Sequence, residues 1–142
     1  MKKIIQFTIL LGLFSGCAST KQFAKLPVDD TNKDLAKIYV IRPSNYAFSV
    51  KVKIYENDNL VGKIGPKSYL YWEVDPANGN VEIMSKAENK DAITISPKVG
   101  ETYYIKQKMK TGILKARTEI TLLSETEAKE LLPDLKAPEL QK

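Results

Sequence analysis

The 142-residue sequence contains no histidine, and its only cysteine is Cys17. Histidine is the commonest general acid or base near neutral pH and the commonest metal ligand. Its absence excludes Ser-His-Asp and Cys-His catalytic sites and histidine-based zinc sites. The acidic residues are scattered, and we find neither a glycine-rich phosphate loop nor a nucleophile elbow. We therefore expect a protein that is not an enzyme and that has no cofactor and no metal site.

The single cysteine directly follows an apolar N-terminal stretch. Two lysines precede a mostly apolar run over residues 4–14, and two small residues separate this run from Cys17. The run is as long as a signal-peptide core and well short of the ~20 residues that span a bilayer. The segment resembles a bacterial lipobox and predicts a signal peptide over residues 1–16. The alternative is an ordinary secretory signal with a chance cysteine, because Phe14 replaces the usual aliphatic residue.

Lipidation of Cys17 would make its thiol unavailable for disulfides, metals or nucleophilic attack. Two or more acyl chains give stable membrane anchoring. The polar segment that follows predicts a tether over residues 17–35. Because Ala18 stands where an aspartate would mark inner-membrane retention, we expect anchoring on the periplasmic side of the outer membrane. Removal of residues 1–16 would lower the net charge from +5 to +3, because Lys2 and Lys3 leave with the signal. This mild positive excess supports contact with anionic envelope material without requiring it, and no motif suggests a nucleic-acid partner.

Residues 36–133 show short alternating segments separated by turn residues at spacings near ten. This pattern predicts an antiparallel β-sandwich of about seven to eight short strands. In residues 48–55, alternation places Phe48 on the same face as Val52 and Ile54. Ser124 and Glu127 form a capping-box pattern that predicts one short C-terminal helix. Residues 134–142 are predicted to be a flexible tail.

Four short blocks follow one another in a recognisable order along this region. They are a Tyr-x-x-Arg-Pro strand end, a hairpin with glycine, a turn with glycine, and a Gly-x-x-Tyr-Tyr strand. The residues concerned are Tyr39, Arg42 and Pro43, then Gly62, then Gly79, then Gly100, Tyr103 and Tyr104. In this order the blocks resemble a bacterial lipoprotein family, domain of unknown function 2846, over residues 36–132. The resemblance implies a secreted or lipid-anchored β-sandwich and implies no particular activity.

Two tyrosines are candidates for contact with a partner. Alternation places Tyr69 and Tyr71 on the face opposite Leu70 and Trp72. Aromatic rings about 7 Å apart on one strand can stack on sugar rings or on apolar side chains of a protein. The alternative is that the C-terminal helix or the second sheet covers this face.

Cationic side chains supply the other candidate sites. Five lysines recur at every second position and would form an anion-binding surface if their strands were neighbours: Lys51, Lys53, Lys106, Lys108 and Lys110. The alternative is that they only solvate the sheet. Arg42 is in phase with Ile38 and Val40, so we expect it to point inward as a structural clamp. A bound ligand anion is the alternative for Arg42.

The sequence thus favours a lipid-anchored envelope protein whose β-sandwich is a non-catalytic binding or structural module. Its expected contacts are the membrane, through lipid on Cys17, and an envelope protein or a cell-wall glycan. Two alternatives stay open. One is a carboxylate-dependent glycan hydrolase, which needs two acidic side chains facing one cleft. The other is a surface-exposed lipoprotein that binds external ligands.

Overall fold

Eight strands form two four-stranded sheets in the computed structural model, which describes residues 33–114 and 116–137. In chain order they are β1 (Ala36–Arg42), β2 (Val52–Glu56), β3 (Asn59–Ile64), β4 (Ser68–Val74), β5 (Val81–Lys86), β6 (Lys90–Ile95), β7 (Thr102–Thr111) and β8 (Ala116–Leu123). The first sheet has the order β4-β1-β7-β8, and the second sheet has the order β3-β2-β5-β6. The predicted β-sandwich is confirmed. The predicted signal peptide, Cys17 and the tether before residue 33 lie outside the described residues.

One strand pair departs from the expected antiparallel arrangement. β1 and β7 run parallel, with Tyr39 opposite Tyr104, whereas the other paired strands are antiparallel. A parallel pair requires a long crossover connection. Here the chain between β1 and β7 supplies β4 and the whole second sheet, so the crossover is the second layer of the sandwich itself.

The core lies between the inner faces of the two sheets. Its members are aliphatic residues at alternate strand positions, which include Ile38, Val40, Val52, Ile54, Ile64, Ile83, Ile105 and Ile120. Leu70 and Val74 are buried here, and Trp72 packs against the same cluster, as alternation predicted for β4. The Trp72 indole N–H also donates a hydrogen bond to Glu56 of β2. This bond joins one strand of each sheet.

The predicted strand over residues 48–55 is wrong in its first half. β2 begins only at Val52, whereas residues 46–49 form a turn in which Ala47 has a φ of 53°. Phe48 is 73% exposed instead of facing the core. The backbone carbonyls of Tyr46, Ala47 and Val50 accept hydrogen bonds from Arg42. Because a side chain binds these carbonyls, they do not join the ladder of a sheet.

Side chains close one long edge of the sandwich. The Asn89 amide donates to the Thr118 carbonyl at 2.9 Å, and the Thr118 N–H donates back to Asn89 Oδ1 at 2.7 Å. The Ile120 N–H donates to Asp91 Oδ2 at 2.8 Å. These bonds join β6 and the residue that precedes it to β8 across the two sheets. They satisfy backbone groups of edge strand β8 that would otherwise be open for pairing with another chain.

A C-terminal segment crosses the outer face of the first sheet. Helix α1 (Glu125–Leu131) begins with the predicted capping box of Ser124 and Glu127, which is confirmed. A 3₁₀ turn, Leu132–Asp134, follows, and the chain then reaches β4, where Lys136 accepts from Tyr69 N and donates to the Lys67 carbonyl. The predicted flexible tail thus starts with residues bonded to β4. Its remainder, 138–142, lies outside the described residues.

This segment covers a second, smaller apolar layer. Ile41, Ala128 and Ala137 are buried but lie outside the main core cluster. Ile41 alternates with the inward residues Val40 and Arg42, so its side chain lies on the outer face of β1. We infer that the C-terminal segment packs over Ile41, because α1 contacts β7 on one side of β1 and Lys136 bonds to β4 on the other.

Candidate functional site

Arg42 is completely buried at the end of β1 and donates hydrogen bonds to the loop that follows. Its Nη1 donates to the carbonyls of Val50 at 2.6 Å and Ile64 at 3.4 Å. Its Nη2 donates to the carbonyls of Tyr46 and Ala47, both at 2.9 Å. Burial lowers the pKa of Arg42 from its ordinary value. The partners of the guanidinium in the described residues are thus backbone carbonyls, and the role of a clamp stays a prediction.

The loops around Arg42 meet at one end of the sandwich, which we call the loop end. It comprises residues 43–51, 65–67, 87–89 and 112–114. β1, β3, β5 and β7 finish here, and β2, β4, β6 and β8 begin here, as the pairing registers require. The chain between residue 33 and β1 lies at the opposite end, where Gly100 N donates to the Leu35 carbonyl. The described chain therefore enters the domain far from the loop end.

Apolar side chains are exposed at the loop end. Phe48, Ile113 and Leu114 are 73%, 91% and 89% exposed, and we call them the apolar tips. Tyr46 beside them is also exposed. These are four of the seven exposed large hydrophobic residues in the described chain, so the loop end concentrates them. Concentrated exposed apolar area is typical of a contact surface, whereas single exposed apolar residues are ordinary.

Hydrogen bonds connect the loops that carry the apolar tips. The Tyr46 hydroxyl lies 3.0 Å from Thr111 Oγ1 at the end of β7. The Ile113 N–H donates to Glu88 Oε1 at 3.3 Å, and the Glu88 N–H donates to the Ala116 carbonyl at 3.4 Å. Three loops from both sheets are therefore joined. The tips project from a connected frame.

Four lysines form a row across the second sheet just below the loop end. Lys53 lies opposite both Lys63 and Lys86, and Lys86 lies opposite Lys90. All four are exposed. At the usual ~4.8 Å strand spacing, this lysine row spans about 14 Å. Within the described residues, none of its members forms an ion pair.

The five lysines predicted as one surface lie on two surfaces. Lys53 belongs to the lysine row, and exposed Lys51 precedes it in the loop. Lys106, Lys108 and Lys110 lie on β7 of the first sheet, whose outer face points the other way. Lys110 pairs with Glu119 at 2.7 Å and lies opposite Arg117. Lys63, Lys86 and Lys90 were missed, because cross-strand register is not visible in the sequence.

Tyr69 and Tyr71 lie on the outer face of the first sheet, around Tyr39. The ring of Tyr39 has its centroid 5.9 Å from Tyr69, 4.8 Å from Tyr71 and 5.3 Å from Tyr104. All four rings are half-buried. Burial raises the pKa of Tyr69 and of Tyr104. The C-terminal segment bonds to the backbone N–H of Tyr69 at the free edge of β4. A partner role for Tyr69 and Tyr71 stays a prediction.

Two further properties concern metals and membranes. Residues 33–114 and 116–137 hold no cluster of three or more potential metal-ligating Cys, Asp or Glu side chains. None of the helices in the same residues has the length and apolar character needed to cross a bilayer.

Comparison with known proteins identifies relatives without a described activity. The family described as "Protein of unknown function (DUF2846)" matches residues 32–119. An "Uncharacterized protein" of Haemophilus influenzae is 25% identical over 130 residues, which cover 87% of this chain and 76% of that protein. No solved structure is significantly similar. The family match includes β1 to β7, Arg42 and the lysine row.

Proposed function

Because the chain belongs to the DUF2846 family, we propose that it is a lipid-anchored cell-envelope protein whose β-sandwich is a non-catalytic binding module. The loop end is the contact surface of this module. The anchor is lipid on Cys17, and the segment from residue 17 to residue 35 connects it to the opposite end of the sandwich.

The lysine row carries this proposal. Like charges directly opposite one another on neighbouring strands destabilise a sheet. A fold that only needed solvation would interleave carboxylates, as the first sheet does where Glu119 lies opposite Lys108 and pairs with Lys110. Four lysines in register, with no ion-pair partner among residues 33–114 and 116–137, instead favour a surface that is neutralised by an anionic partner.

The frame beneath the surface also supports binding. Loops that bind ligands are commonly held by a rigid scaffold. Here the buried Arg42 side chain bonds to loop carbonyls from within the domain, and Glu88 of loop 87–89 accepts a hydrogen bond from the Ile113 N–H of a neighbouring loop. Folding of the domain therefore already orders these loops, so a partner that binds the loop end loses less conformational entropy on binding.

Mass spectrometry of the mature N-terminus tests the anchoring half of the proposal. In cells of the source organism, the full chain is expected to begin at Cys17 and to carry the mass of diacylglycerol on its sulfur. It should sediment with membranes, whereas Cys17→Ala should leave the precursor uncleaved at this position and without lipid. An unmodified Cys17, or a mature chain that starts elsewhere, would contradict lipid anchoring.

A further inference from the structure

We propose that the loop end docks onto an anionic lipid surface, with the apolar tips inserted among the lipids and the surrounding cations bound to headgroup phosphates. This inference deepens the proposed function, since it names the partner of the loop end. It rests on a combination of exposed apolar side chains and a basic collar that the structure places at one end of the domain.

The apolar tips have the arrangement needed for shallow insertion. Phe48 lies on the loop after β1, and Ile113 and Leu114 lie on the loop after β7. β1 and β7 are adjacent and parallel, so both loops leave the first sheet in the same direction. A bilayer interface accepts apolar side chains that extend from a polar support.

Cationic side chains surround the tips on both faces of the sandwich. The second sheet contributes the lysine row, and the first sheet contributes Lys108 and Arg117 beside Lys110, whose charge is paired with Glu119. Lys51 and Lys67 are exposed within the loops themselves. The carboxylates of Glu119 and Glu88 at this end each have a partner within the domain. Glu119 forms an ion pair with Lys110, and Glu88 accepts a hydrogen bond from the Ile113 N–H.

This charge pattern favours lipid over the other anionic partners. A linear polyanion would need only the lysine row and would leave Phe48, Ile113 and Leu114 in water. A lipid surface uses both sets, because basic residues are attracted to anionic headgroups while apolar side chains enter the layer beneath. The apolar tips protrude from the end, and the cations lie behind them on the flanks. A flat membrane that approaches the loop end therefore contacts the apolar tips first and the cations second.

The lipid anchor is compatible with this orientation. Lys33 lies sixteen positions after Cys17 in the chain. Extended, this stretch reaches at most about 55 Å. β7, the longest strand, has ten residues and is about 34 Å long. The chain is therefore long enough for the loop end to meet the membrane that holds the anchor.

A fluorescent probe on the tips tests the inference independently of lipidation. The full chain carrying Cys17→Ser receives one new cysteine, Phe48→Cys or Ile113→Cys, labelled with an environment-sensitive nitrobenzoxadiazole dye. The control is Leu122→Cys, which is exposed on β8 away from the loop end. Each protein is reconstituted on vesicles of phosphatidylcholine alone or of phosphatidylcholine and phosphatidylglycerol in equal parts.

At residues 48 and 113 we expect a blue-shifted, brighter emission on the anionic vesicles, quenched by spin-labelled lipids, and no change at residue 122. Adding Lys53→Gln and Lys86→Gln should reduce the inserted fraction several-fold, as should raised salt. Equal emission at residues 48 and 122, or no difference between the two vesicle types, would overturn the inference. Since Cys17 is absent from these proteins, a missing probe signal leaves lipid anchoring intact, and a missing lipid on Cys17 leaves docking intact.

Discussion

Replacement of Arg42 with alanine is expected to lower the free energy of unfolding by about 3–5 kcal/mol. The change removes the donors of four carbonyls and leaves a cavity where a completely buried side chain stood. For a domain of this size, the melting temperature should fall by about 10–20 °C. Thermal unfolding followed by circular dichroism measures the shift.

The matched variant Arg42→Lys separates donor geometry from charge. A lysine ammonium keeps the positive charge, but it cannot span the carbonyls of Val50 and Tyr46 as a planar guanidinium does. Its melting temperature should lie between those of the wild type and Arg42→Ala. Loop 43–51 should become sensitive to chymotrypsin at Phe48 in both variants. An unchanged melting curve for Arg42→Ala would show that Arg42 is not a clamp.

Replacement of Ile41 with alanine should cost about 2–4 kcal/mol, because it opens a cavity beneath the C-terminal segment. The expected loss of protection is confined to the C-terminal segment. Residues 124–137 should be cleaved faster in limited proteolysis, while the core of the sandwich unfolds as cooperatively as before. Urea unfolding measures the stability, and mass spectrometry of the early fragments locates the cuts.

Leu122→Ala is the matched control for this prediction. Leu122 is an aliphatic residue of the same sheet, but it is mostly exposed on β8. Its replacement should change stability by less than about 0.5 kcal/mol. Equal effects at residues 41 and 122 would mean that the C-terminal segment does not protect Ile41.

Alternation, together with turn residues at spacings near ten, was sufficient to predict the fold class. Residues such as Leu70 and Ile54 alternate with polar neighbours, and the structure buries them in one core. Alternation does not specify which strands pair. The parallel pairing of β1 with β7, and the crossing between sheets from β4 to β5, therefore could not be predicted from alternation.

The error at Phe48 has a physical cause. Periodicity extended the strand to residue 48, but the Arg42 guanidinium binds the carbonyls of residues 46, 47 and 50 and holds a turn there. Local sequence propensity carries no information on a hydrogen bond from a residue that lies on another strand. The inward direction predicted for Arg42 could have suggested such a loop, since a buried guanidinium must find several acceptors.

Only part of the candidate site could be predicted from the sequence, because the rest depends on tertiary contacts. Lysines were recognisable as outward-facing, and Lys53 was among them. That Lys63, Lys86 and Lys90 align with Lys53 depends on the register of three strand pairs, including a bulge between Ile54 and Tyr55. Exposure of Ile113 and Leu114 depends on where the β7–β8 connection lies in the fold. These are tertiary properties.

Photo-crosslinking in intact cells tests most directly whether the loop end is the contact surface. A photoreactive amino acid replaces Phe48 in one strain and Leu122 in another, in the otherwise unchanged lipidated protein. We expect adducts at residue 48 with the mass of membrane lipid and none at residue 122. A discrete protein adduct at residue 48 alone would retain the loop end as a binding surface but overturn lipid as its partner. No adduct at residue 48, or equal adducts at both positions, would contradict the proposal that the loop end is a contact surface.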